Sequence, residues 1–278
     1  MTPTIGIAGT GRMGTAFARR LRETGHVVRV WNRSPARMAA ALAAGAVASD
    51  LAGIAGCDVI VTSLTDVVAV DGVMDRLIAA RITGRLVIEM STLLPAEAEA
   101  LAGRVAQAGA DFLECPVGGT VAPALKGQLL GMAGGTEAAF ARARPVLDHL
   151  CRRVEHLGPA GAGARMKLAV NLPLAVYWQT LGESLALLHG AGIAPEMAIS
   201  LIADSSAGPS VLKNRAQVVI DTLNGTDQPG TFDIAGLAKD LTLALCLAKA
   251  EGRTLPLAEA ARAGYDAALN AGFVSTAE

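Results

Sequence analysis

A short apolar run that leads directly into a glycine-rich turn constrains this chain more than any other segment. Residues 4–8 read as a buried strand, an apolar-periodic helix ends near Glu23, and three glycines in the spacing Gly-x-Gly-x-x-Gly lie between them. In this setting the first glycine permits a tight turn, the second lets the backbone approach a pyrophosphate, and the third lets the helix pack closely on the strand. Phosphates bind well at such a helix N-terminus. The segment predicts a dinucleotide-binding turn rather than a plain glycine turn, with contacts from Gly9, Thr10, Gly11, Arg12, Met13 and Gly14.

The end of the next strand indicates which dinucleotide is preferred. Residues 26–31 read as this strand, and an NAD-specific site would place an acidic residue after it to bind the ribose hydroxyls. Here the chain reads Asn32, Arg33 and Ser34, without a carboxylate. Arg33 and Ser34 can hold an anion, with Arg37 one turn later, so the sequence predicts NADP. The alternative is that Arg33 is an ordinary solvated residue.

Strands and helices then alternate. Residues 57–62 and 85–89 are strand-like, residues 67–80 and 95–108 are helical, and this order predicts a doubly wound, mainly parallel sheet in an α/β Rossmann domain. Ligands of such sheets bind beyond the carboxyl ends of the strands. The side chains expected to face cofactor or substrate there are Ser63, Leu64, Thr65, Ser91 and Thr92. A helix cap is an equally good interpretation of Ser91 and a weaker one of Thr92.

A further strand, beginning at Phe112, runs into a second glycine-rich turn, and residues 128–133 form the strand after it. Gly118, Gly119 and Thr120 lie in this turn, where backbone N–H groups could bind a substrate oxygen. A simple tight turn would have much the same sequence.

Residues 161–171 combine a turn with the start of a long helix. Gly161 and Gly163 allow a tight turn or a close approach to another element. Lys167 and Asn171 are four residues apart and therefore share one helix face. A lysine among apolar neighbours can serve in proton transfer, whereas most helical lysines are solvated surface residues. The helix is predicted to reach Leu188, a length of about 37 Å that could cross between two domains.

The second half of the chain is predicted to be helical. Helices are expected over residues 195–203, 208–223, 234–251 and 255–270, because prolines divide an otherwise apolar-periodic sequence. The predicted domains are a Rossmann domain at 1–160, a long interdomain helix at 161–192 and an all-α domain at 193–278. Trp178 could wall a substrate pocket, although a core or dimer contact is the stronger interpretation.

Composition limits the partners of the chain. Its 278 residues exceed one ordinary core and fit two domains of about 100 to 170 residues. A net charge of −1, with 24 scattered basic residues, gives no footprint for nucleic acid or an anionic membrane, so a small molecule is the expected partner. No metal site is predicted. A cytoplasmic protein is expected, because the N-terminus lacks a signal peptide and the four cysteines (Cys57, Cys115, Cys151 and Cys246) form no CxxC pair.

Five motifs together resemble the β-hydroxyacid dehydrogenases related to 3-hydroxyisobutyrate dehydrogenase, and the resemblance spans nearly the whole chain. They are Gly9 to Gly14, Met90-Ser-Thr-Leu-Leu-Pro95, Cys115-Pro-Val-Gly-Gly-Thr120, Gly161-x-Gly-x-x-x-Lys167-x-x-x-Asn171 and Lys239-Asp240-Leu241. The resemblance implies a Rossmann domain, a long interdomain helix and an all-helical domain, assembled as homodimers or homotetramers. It also implies that Lys167 is the general acid or base and that Asn171 binds substrate. Thr92 and Lys239 would lie near the nicotinamide.

Two positions depart from the family. Gly118 stands where the family usually has a serine that helps to hold the substrate carboxylate, and Val170 replaces the first of two asparagines. Thr120 could compensate, the substrate could carry a different polar group, or the carbonyl could be an imine. Two further candidates in the helical domain are Phe232 and Asp240. Asp240 is expected to point away from Lys239 and to orient a base.

The sequence thus predicts an NADPH-dependent oxidoreductase that transfers hydride to a small carbonyl or β-hydroxyacid-type compound, with Lys167 exchanging the proton. A short aldehyde acid, such as a semialdehyde or glyoxylate, is the expected substrate. One alternative is an imine reductase on the same scaffold, although such relatives often lack this lysine. The other is a sensor that binds NADP without turnover.

Overall fold

The computed structural model describes residues 2–226 and 233–273, so Phe232 lies outside the described residues. The chain divides into two compact units, each made of two segments. The first unit contains Met1–Asn171 and Leu243–Arg253, and the second contains Leu172–Thr242 and Thr254–Glu278. The two units do not test the predicted domain boundaries, which stay predictions.

The first unit is an α/β domain. Its strands are β1 (Ile5–Ala8), β2 (Val28–Trp31), β3 (Val47–Ala48), β4 (Val59–Thr62), β5 (Leu86–Glu89), β6 (Asp111–Glu114), β7 (Val117–Gly118), β8 (Leu129–Gly135) and β9 (Cys151–His156). Its helices are α1 (Arg12–Glu23), α2 (Ala39–Ala43), α3 (Leu51–Ala55), α4 (Val67–Ala79), α5 (Pro95–Gln107), α6 (Val121–Leu125), α7 (Glu137–Leu150) and the beginning of α8 (Ala162–Ala186). A 3₁₀ turn at Pro35–Met38 precedes α2.

The strands form one sheet whose main part is parallel. The order is β3-β2-β1-β4-β5-β6-β8-β7, and β9 also pairs with β8. Every neighbouring pair from β3 to β6 is parallel, β8 is antiparallel to β6 and β7, and β9 is parallel to β8. The predicted doubly wound, mainly parallel sheet is confirmed, and it brings the carboxyl ends of β1, β4, β5 and β6 to one edge.

Both faces of the sheet are buried at the central strands β1, β4 and β5, as their nearly continuous apolar sequences require. In β5, Leu86 and Ile88 belong to the core cluster that also contains Phe17 of α1, whereas Val87 belongs to the cluster with Met74 of α4. Because successive side chains of a strand point to opposite faces, one run of apolar residues serves both cores. Helices on both faces follow from this pattern.

The second unit is helical, as predicted. It contains the rest of α8, then α9 (Pro195–Asp204), α10 (Ser210–Lys213), α11 (Ala216–Leu223), the first part of α12 (Ile234–Ala250) and α13 (Pro256–Asn270). The single helix predicted over 208–223 is wrong, because Arg215, at φ −124° and ψ 3°, interrupts the helical path between α10 and α11. Among the described residues, no helix is both long enough and apolar enough to span a membrane.

Two tyrosines of the second unit differ in how their hydroxyls are satisfied. The Tyr265 hydroxyl donates to the Ala175 carbonyl at 2.7 Å, and burial raises the Tyr265 pKa to about 12. The Tyr177 hydroxyl is also buried, yet it has no hydrogen-bond partner among the described residues. A buried hydroxyl with a partner stabilises a fold, whereas one without a partner costs its desolvation.

Replacing these two hydroxyls should therefore have opposite consequences. We expect Tyr265→Phe to lower the free energy of unfolding by about 1–2 kcal/mol, because it deletes a buried hydrogen bond. Tyr177→Phe, the matched control, should leave it within about 0.5 kcal/mol of wild type or raise it. Urea unfolding followed by circular dichroism measures both, and equal losses in the two variants would contradict this account.

Candidate active site

The glycine-rich turn between β1 and α1 is built around two close backbone approaches. Gly9 has φ +102°, and a Cβ built on it would lie 2.2 Å from the Ser63 carbonyl oxygen. A Cβ on Gly14 would lie 1.9 Å from the Gly9 carbonyl oxygen. Both positions therefore exclude any larger residue. Gly11 differs, since a Cβ there would meet nothing within 4 Å, and that open space allows a ligand to approach the backbone.

The start of α1 fits an anionic ligand. Gly11 is the N-cap, no side chain caps this helix end, and its first turn holds no acidic residue. Uncapped N–H groups and the helix dipole favour a phosphate at this position. The neighbouring Thr10 hydroxyl is buried and has no hydrogen-bond partner among the described residues. The turn has the space, the donors and the sign of charge that the phosphates of a dinucleotide need.

Beyond β2, the chain makes a turn that Asn32 stabilises. The Asn32 side-chain oxygen accepts a hydrogen bond from the Ser34 backbone N–H at 2.9 Å, so this amide shapes the turn. Arg33 is exposed and makes no hydrogen bond or ion pair with the described residues. Trp31, the last residue of β2, lies under the Arg76 guanidinium, which is 5.4 Å from its ring centroid. The turn thus presents positive charge and no carboxylate.

A buried carboxylate joins the ends of β4 and β5. Glu89 accepts from the Thr62 hydroxyl at 2.5 Å and from the Ser91 backbone N–H at 2.6 Å. The Ser91 hydroxyl in turn accepts from the Leu64 backbone N–H at 2.9 Å. Burial raises the Glu89 pKa, and the hydrogen bonds oppose that shift. This network fixes both strand ends and leaves Thr92, the next residue, partly exposed.

The same contacts correct one interpretation of the sequence. Ser91 does not cap α5, because the helix begins at Pro95 with Leu94 as its N-cap, and the Glu97 carboxylate accepts from the Leu94 N–H at 2.8 Å. Thr65 is exposed, and its hydroxyl donates to Asp66, which caps α4.

Lys167 and Asn171 are both buried and lie together. The Lys167 ammonium Nζ donates to the Asn171 side-chain oxygen at 3.0 Å and to the Val117 carbonyl oxygen at 2.8 Å. The alternative of a solvated surface lysine is therefore wrong. Gly163 makes the close approach that the turn predicts, since its Cβ would lie 2.3 Å from the Met132 carbonyl oxygen.

The turn after β7 leaves room for ligand contacts. A Cβ on Gly118 would make only an ordinary contact, 3.6 Å from the Leu130 Cβ. Gly119 has φ +120°, and its Cβ would lie 2.7 Å from the Leu129 side chain, so this position needs glycine. Thr120 is the N-cap of α6, but its side chain makes no capping hydrogen bond. Gly118 could carry a side chain without a change of backbone.

The sequence did not single out Glu89 or Glu114 as site residues. Glu114 ends β6, is 2% exposed and accepts from the Gly163 backbone N–H at 2.8 Å. Burial and the nearby charge of Glu89 raise the Glu114 pKa to about 7, against the lowering effect of hydrogen bonds from backbone N–H groups at the start of α8. The available signal was an acidic residue that ends each strand directly after apolar residues, Ile88 before Glu89 and Leu113 before Glu114.

In the second unit, Lys239 and Asp240 lie within ion-pair distance. Their Nζ and Oδ1 atoms are 3.7 Å apart, and Asp240 is buried, so the expectation that the two side chains point apart is wrong. Trp178 packs on the cluster that contains Leu181 and Ile199, with its ring 5.8 Å from that of Tyr177.

Within the described part of the chain, no group of three or more His, Cys, Asp or Glu residues could hold a metal ion.

Two family descriptions match consecutive parts of the sequence. Residues 4–158 match the NAD binding domain of 6-phosphogluconate dehydrogenase. Residues 161–276 match the NAD-binding domain of NADP-dependent 3-hydroxyisobutyrate dehydrogenase. Together the two matches cover most of the chain.

Similar proteins include named dehydrogenases and reductases. The chain is 31% identical to an NAD-dependent L-serine dehydrogenase of Pseudomonas aeruginosa, over 97% of this chain and 93% of that protein. It is 29% identical to glyoxylate/succinic semialdehyde reductase 2 of Arabidopsis thaliana, over 98% and 76% of the two chains.

Solved structures have the same fold. The 3-hydroxyisobutyrate dehydrogenase of Mycobacterium tuberculosis with L-serine is 30% identical, covers 100% of this chain and 97% of its own, and gives a TM-score of 0.85. An imine reductase of Myxococcus stipitatus with NADP⁺ is 22% identical over 98% and 96% of the two chains, with a TM-score of 0.68, and shares the fold.

The contrast among the glycines gives a test of the dinucleotide turn. We expect Gly11→Ala to keep the stability of the fold and to weaken NAD(P)H binding by about tenfold or more, because the methyl group fills the space that the pyrophosphate needs. Gly72→Ala, in α4, also adds a methyl group in open space and should bind normally. Fluorescence titration with NADH and NADPH measures the affinities, and unchanged binding by Gly11→Ala would rule out this placement of the phosphates.

Proposed function

Because the chain belongs to the β-hydroxyacid dehydrogenase family related to 3-hydroxyisobutyrate dehydrogenase, we propose that it reduces a small carbonyl compound with NADPH and uses Lys167 as proton donor. Membership makes it an oxidoreductase acting on CH–OH and C=O groups with an NAD(P) cofactor. The observation that carries the proposal is the buried ammonium of Lys167, held by the Val117 carbonyl and the Asn171 amide.

The surroundings of Lys167 suit transfer of a proton to oxygen. Val117 and Asn171 accept from its ammonium through neutral oxygens, so these two contacts orient the amine without adding a negative charge of their own. When NADPH is bound, it supplies the hydride to the carbonyl carbon. Lys167 then protonates the carbonyl oxygen, and its positive charge stabilises the negative charge that develops there. Asn171 positions the substrate beside this amine.

We propose a short aldehyde acid as substrate, of the semialdehyde or glyoxylate type. The name of the Arabidopsis relative supports this class. Backbone and side-chain donors of the turn at Gly118, Gly119 and Thr120 would bind the carboxylate, together with Thr92. The remaining proposed substrate contacts are Trp178, Phe232 and Asp240, and Lys239 is proposed to contact the cofactor.

Imine reduction is the second candidate. Gly118 supplies no side-chain donor for a carboxylate, and this favours a substrate without one. The lysine at position 167 favours a carbonyl, because an imine nitrogen needs less help from an acid. Steady-state rates with aldehyde acids, keto acids and cyclic imines separate the two, and binding without turnover of any of them would indicate an NADP sensor.

The choice of NADP over NAD rests on Arg33. The guanidinium is exposed, follows β2 directly and lies in a turn without a carboxylate. Such a group can make a bidentate contact with a 2′-phosphate. Ser34 could add a hydroxyl donor. One relative is named as NAD-dependent, so family membership does not decide between NAD and NADP. The proposed preference for NADP therefore rests on this chain's own residues.

We propose that the domains span residues 1–160, 161–192 and 193–278. We also propose that the protein assembles as a homodimer or homotetramer. Leu187, Met197 and Leu201 of the second unit are large apolar side chains exposed in the single chain. Large exposed apolar side chains favour contact with another protein surface, and a second copy of the chain can supply that surface without any further component.

Removing the amine tests the proposed mechanism. We expect Lys167→Ala to lower kcat about 10²- to 10⁴-fold, because the general acid and its charge are lost together. The Kd for NADPH should stay within about twofold, since Lys167 is assigned to the proton and not to the phosphates. Lys249→Ala, an exposed lysine of α12, is the matched control. Turnover near the wild-type rate in Lys167→Ala would exclude the assignment.

Removing the guanidinium tests the cofactor preference. Arg33→Ala should raise KM for NADPH about 10- to 100-fold, because a charge-assisted contact to phosphate is lost. KM for NADH and kcat should change little. Arg19→Ala, an exposed arginine of α1, serves as the control. Steady-state kinetics with both cofactors measure the change, and equal effects on NADPH and NADH would contradict the prediction.

The proposed assembly can be measured directly. Multi-angle light scattering should give a mass of two or four times 28.2 kDa, because a single copy leaves apolar residues in water. Leu187→Lys combined with Leu201→Lys should shift the mass toward one chain. Val68→Lys, which replaces an exposed apolar residue of the first unit, is the control. A single-chain mass for the wild type would dismiss the proposal.

A further inference from the structure

We propose that Glu114 is the positioning residue for Lys167: its carboxylate fastens the first turn of α8 to the end of β6 and so fixes the amine against the Val117 carbonyl. This inference rests on the proposed function, in which Lys167 exchanges the proton. Glu114 binds the Gly163 N–H, whereas Lys167 binds Val117, so Glu114 acts on the amine through the helix that carries it.

Two contacts join the same two segments. Glu114 accepts from the Gly163 N–H at 2.8 Å, and Val117 accepts from the Lys167 ammonium at 2.8 Å. The acceptors are three residues apart and the donors four residues apart. The two bonds therefore fix both the axial position and the rotation of the first turns of α8 relative to the chain after β6.

Space around Glu114 is limited on the side of β8. A Cβ on Gly134 would lie 2.3 Å from the Glu114 Oε1 atom, and a Cβ on Gly163 would lie 3.2 Å from the Gly134 nitrogen. The glycines permit this packing, and the carboxylate has little room to move. Because close packing fixes the carboxylate in place, the helix that is hydrogen-bonded to it is also fixed.

The carboxylate also matches the charge of the helix end. N–H groups of Gly161, Gly163 and Ala164 act on Glu114, and all three belong to the turn and first residues of α8. Capping groups normally come from the residue before the helix, whereas Glu114 is 49 residues from Gly163. A negative charge at a helix N-terminus is stabilising, so the ionised form holds this turn more firmly than the neutral form.

Several titratable groups surround Glu114. Glu89 on β5 raises the Glu114 pKa, although less than burial does, and Glu99 of α5 lies beside Gly161. The Cys115 thiol, next in the chain, has a pKa raised well above its ordinary value by burial, so it stays neutral. With a pKa of about 7, Glu114 gains a proton as the pH falls through neutrality. Protonation weakens its hold on α8, and turnover then falls on the acid side.

The experiment compares Glu114→Gln, Glu114→Asp and the matched control Glu99→Gln, an exposed carboxylate beside the same turn. Hydrogen exchange of amides 161–167 is measured in the protein without cofactor, and the pH profile of kcat is measured with NADPH. In wild type we expect kcat to fall as the pH decreases through about 7.

Glu114→Gln should resemble the protonated wild type at every pH. We expect kcat to fall about 10- to 100-fold at pH 8, the acid limb near neutrality to disappear, and the first-turn amides to exchange about tenfold faster. Glu114→Asp should retain an acid limb and recover part of the rate. The Kd for NADPH should not change, and Glu99→Gln should match the wild type in all these measurements.

Three results would overturn the inference. One is a Glu114→Gln variant whose kcat keeps the wild-type pH dependence, whether or not kcat itself is lower. A purely structural loss would lower kcat without changing its pH dependence. Another is an equal effect of Glu99→Gln. If neither Glu114 variant folds, a wild-type profile without an acid limb near neutrality still rejects the inference. Full activity of Lys167→Ala would instead reject the proposed function, so the two failures are distinguishable.

Discussion

Buried polar groups at the carboxyl edge of the sheet determine the arrangement of the loops around it. Glu89 and Glu114 end adjacent parallel strands, are paired in register and are buried in a mainly apolar interior. A carboxylate in such a place is costly unless donors surround it. Glu89 accepts from the Thr62 hydroxyl at the end of β4 and from the Ser91 N–H in the loop that follows β5, and Glu114 accepts from the Gly163 N–H at the start of α8. The hydrogen bonds that satisfy these buried carboxylates therefore also hold the segments that carry the candidate cofactor and substrate residues.

The sheet could be predicted from the sequence because its signals are local. Four-residue apolar strands, the glycine spacing after β1 and the proline starts of α5 and α9 each depend on a few consecutive residues. The pairing of Lys167 with Asn171 is local as well, since helical periodicity alone places residues four apart on one face. These parts of the fold and site required no knowledge of distant contacts.

The remaining features depend on tertiary contacts that no local pattern encodes. The sequence left Ser91 open as a ligand contact or a helix cap, whereas its hydroxyl accepts from the Leu64 N–H, 27 residues away in the chain. Glu114 was not singled out from the sequence, because its hydrogen bond with α8 comes from Gly163, 49 residues later in the chain. In both cases the partner lies elsewhere in the sequence, and its identity follows only from the folded chain.

The conformation at Gly118 has a consequence for how this enzyme could diversify. Its backbone does not require glycine, and the neighbouring Leu130 leaves room for a side chain. Gly119, one residue later, has a left-handed backbone that does require glycine. Substitutions at position 118 can therefore change the chemistry of this turn while the scaffold stays intact. The proposed substrate contact at Gly118 and the backbone requirement at Gly119 are divided between two adjacent glycines.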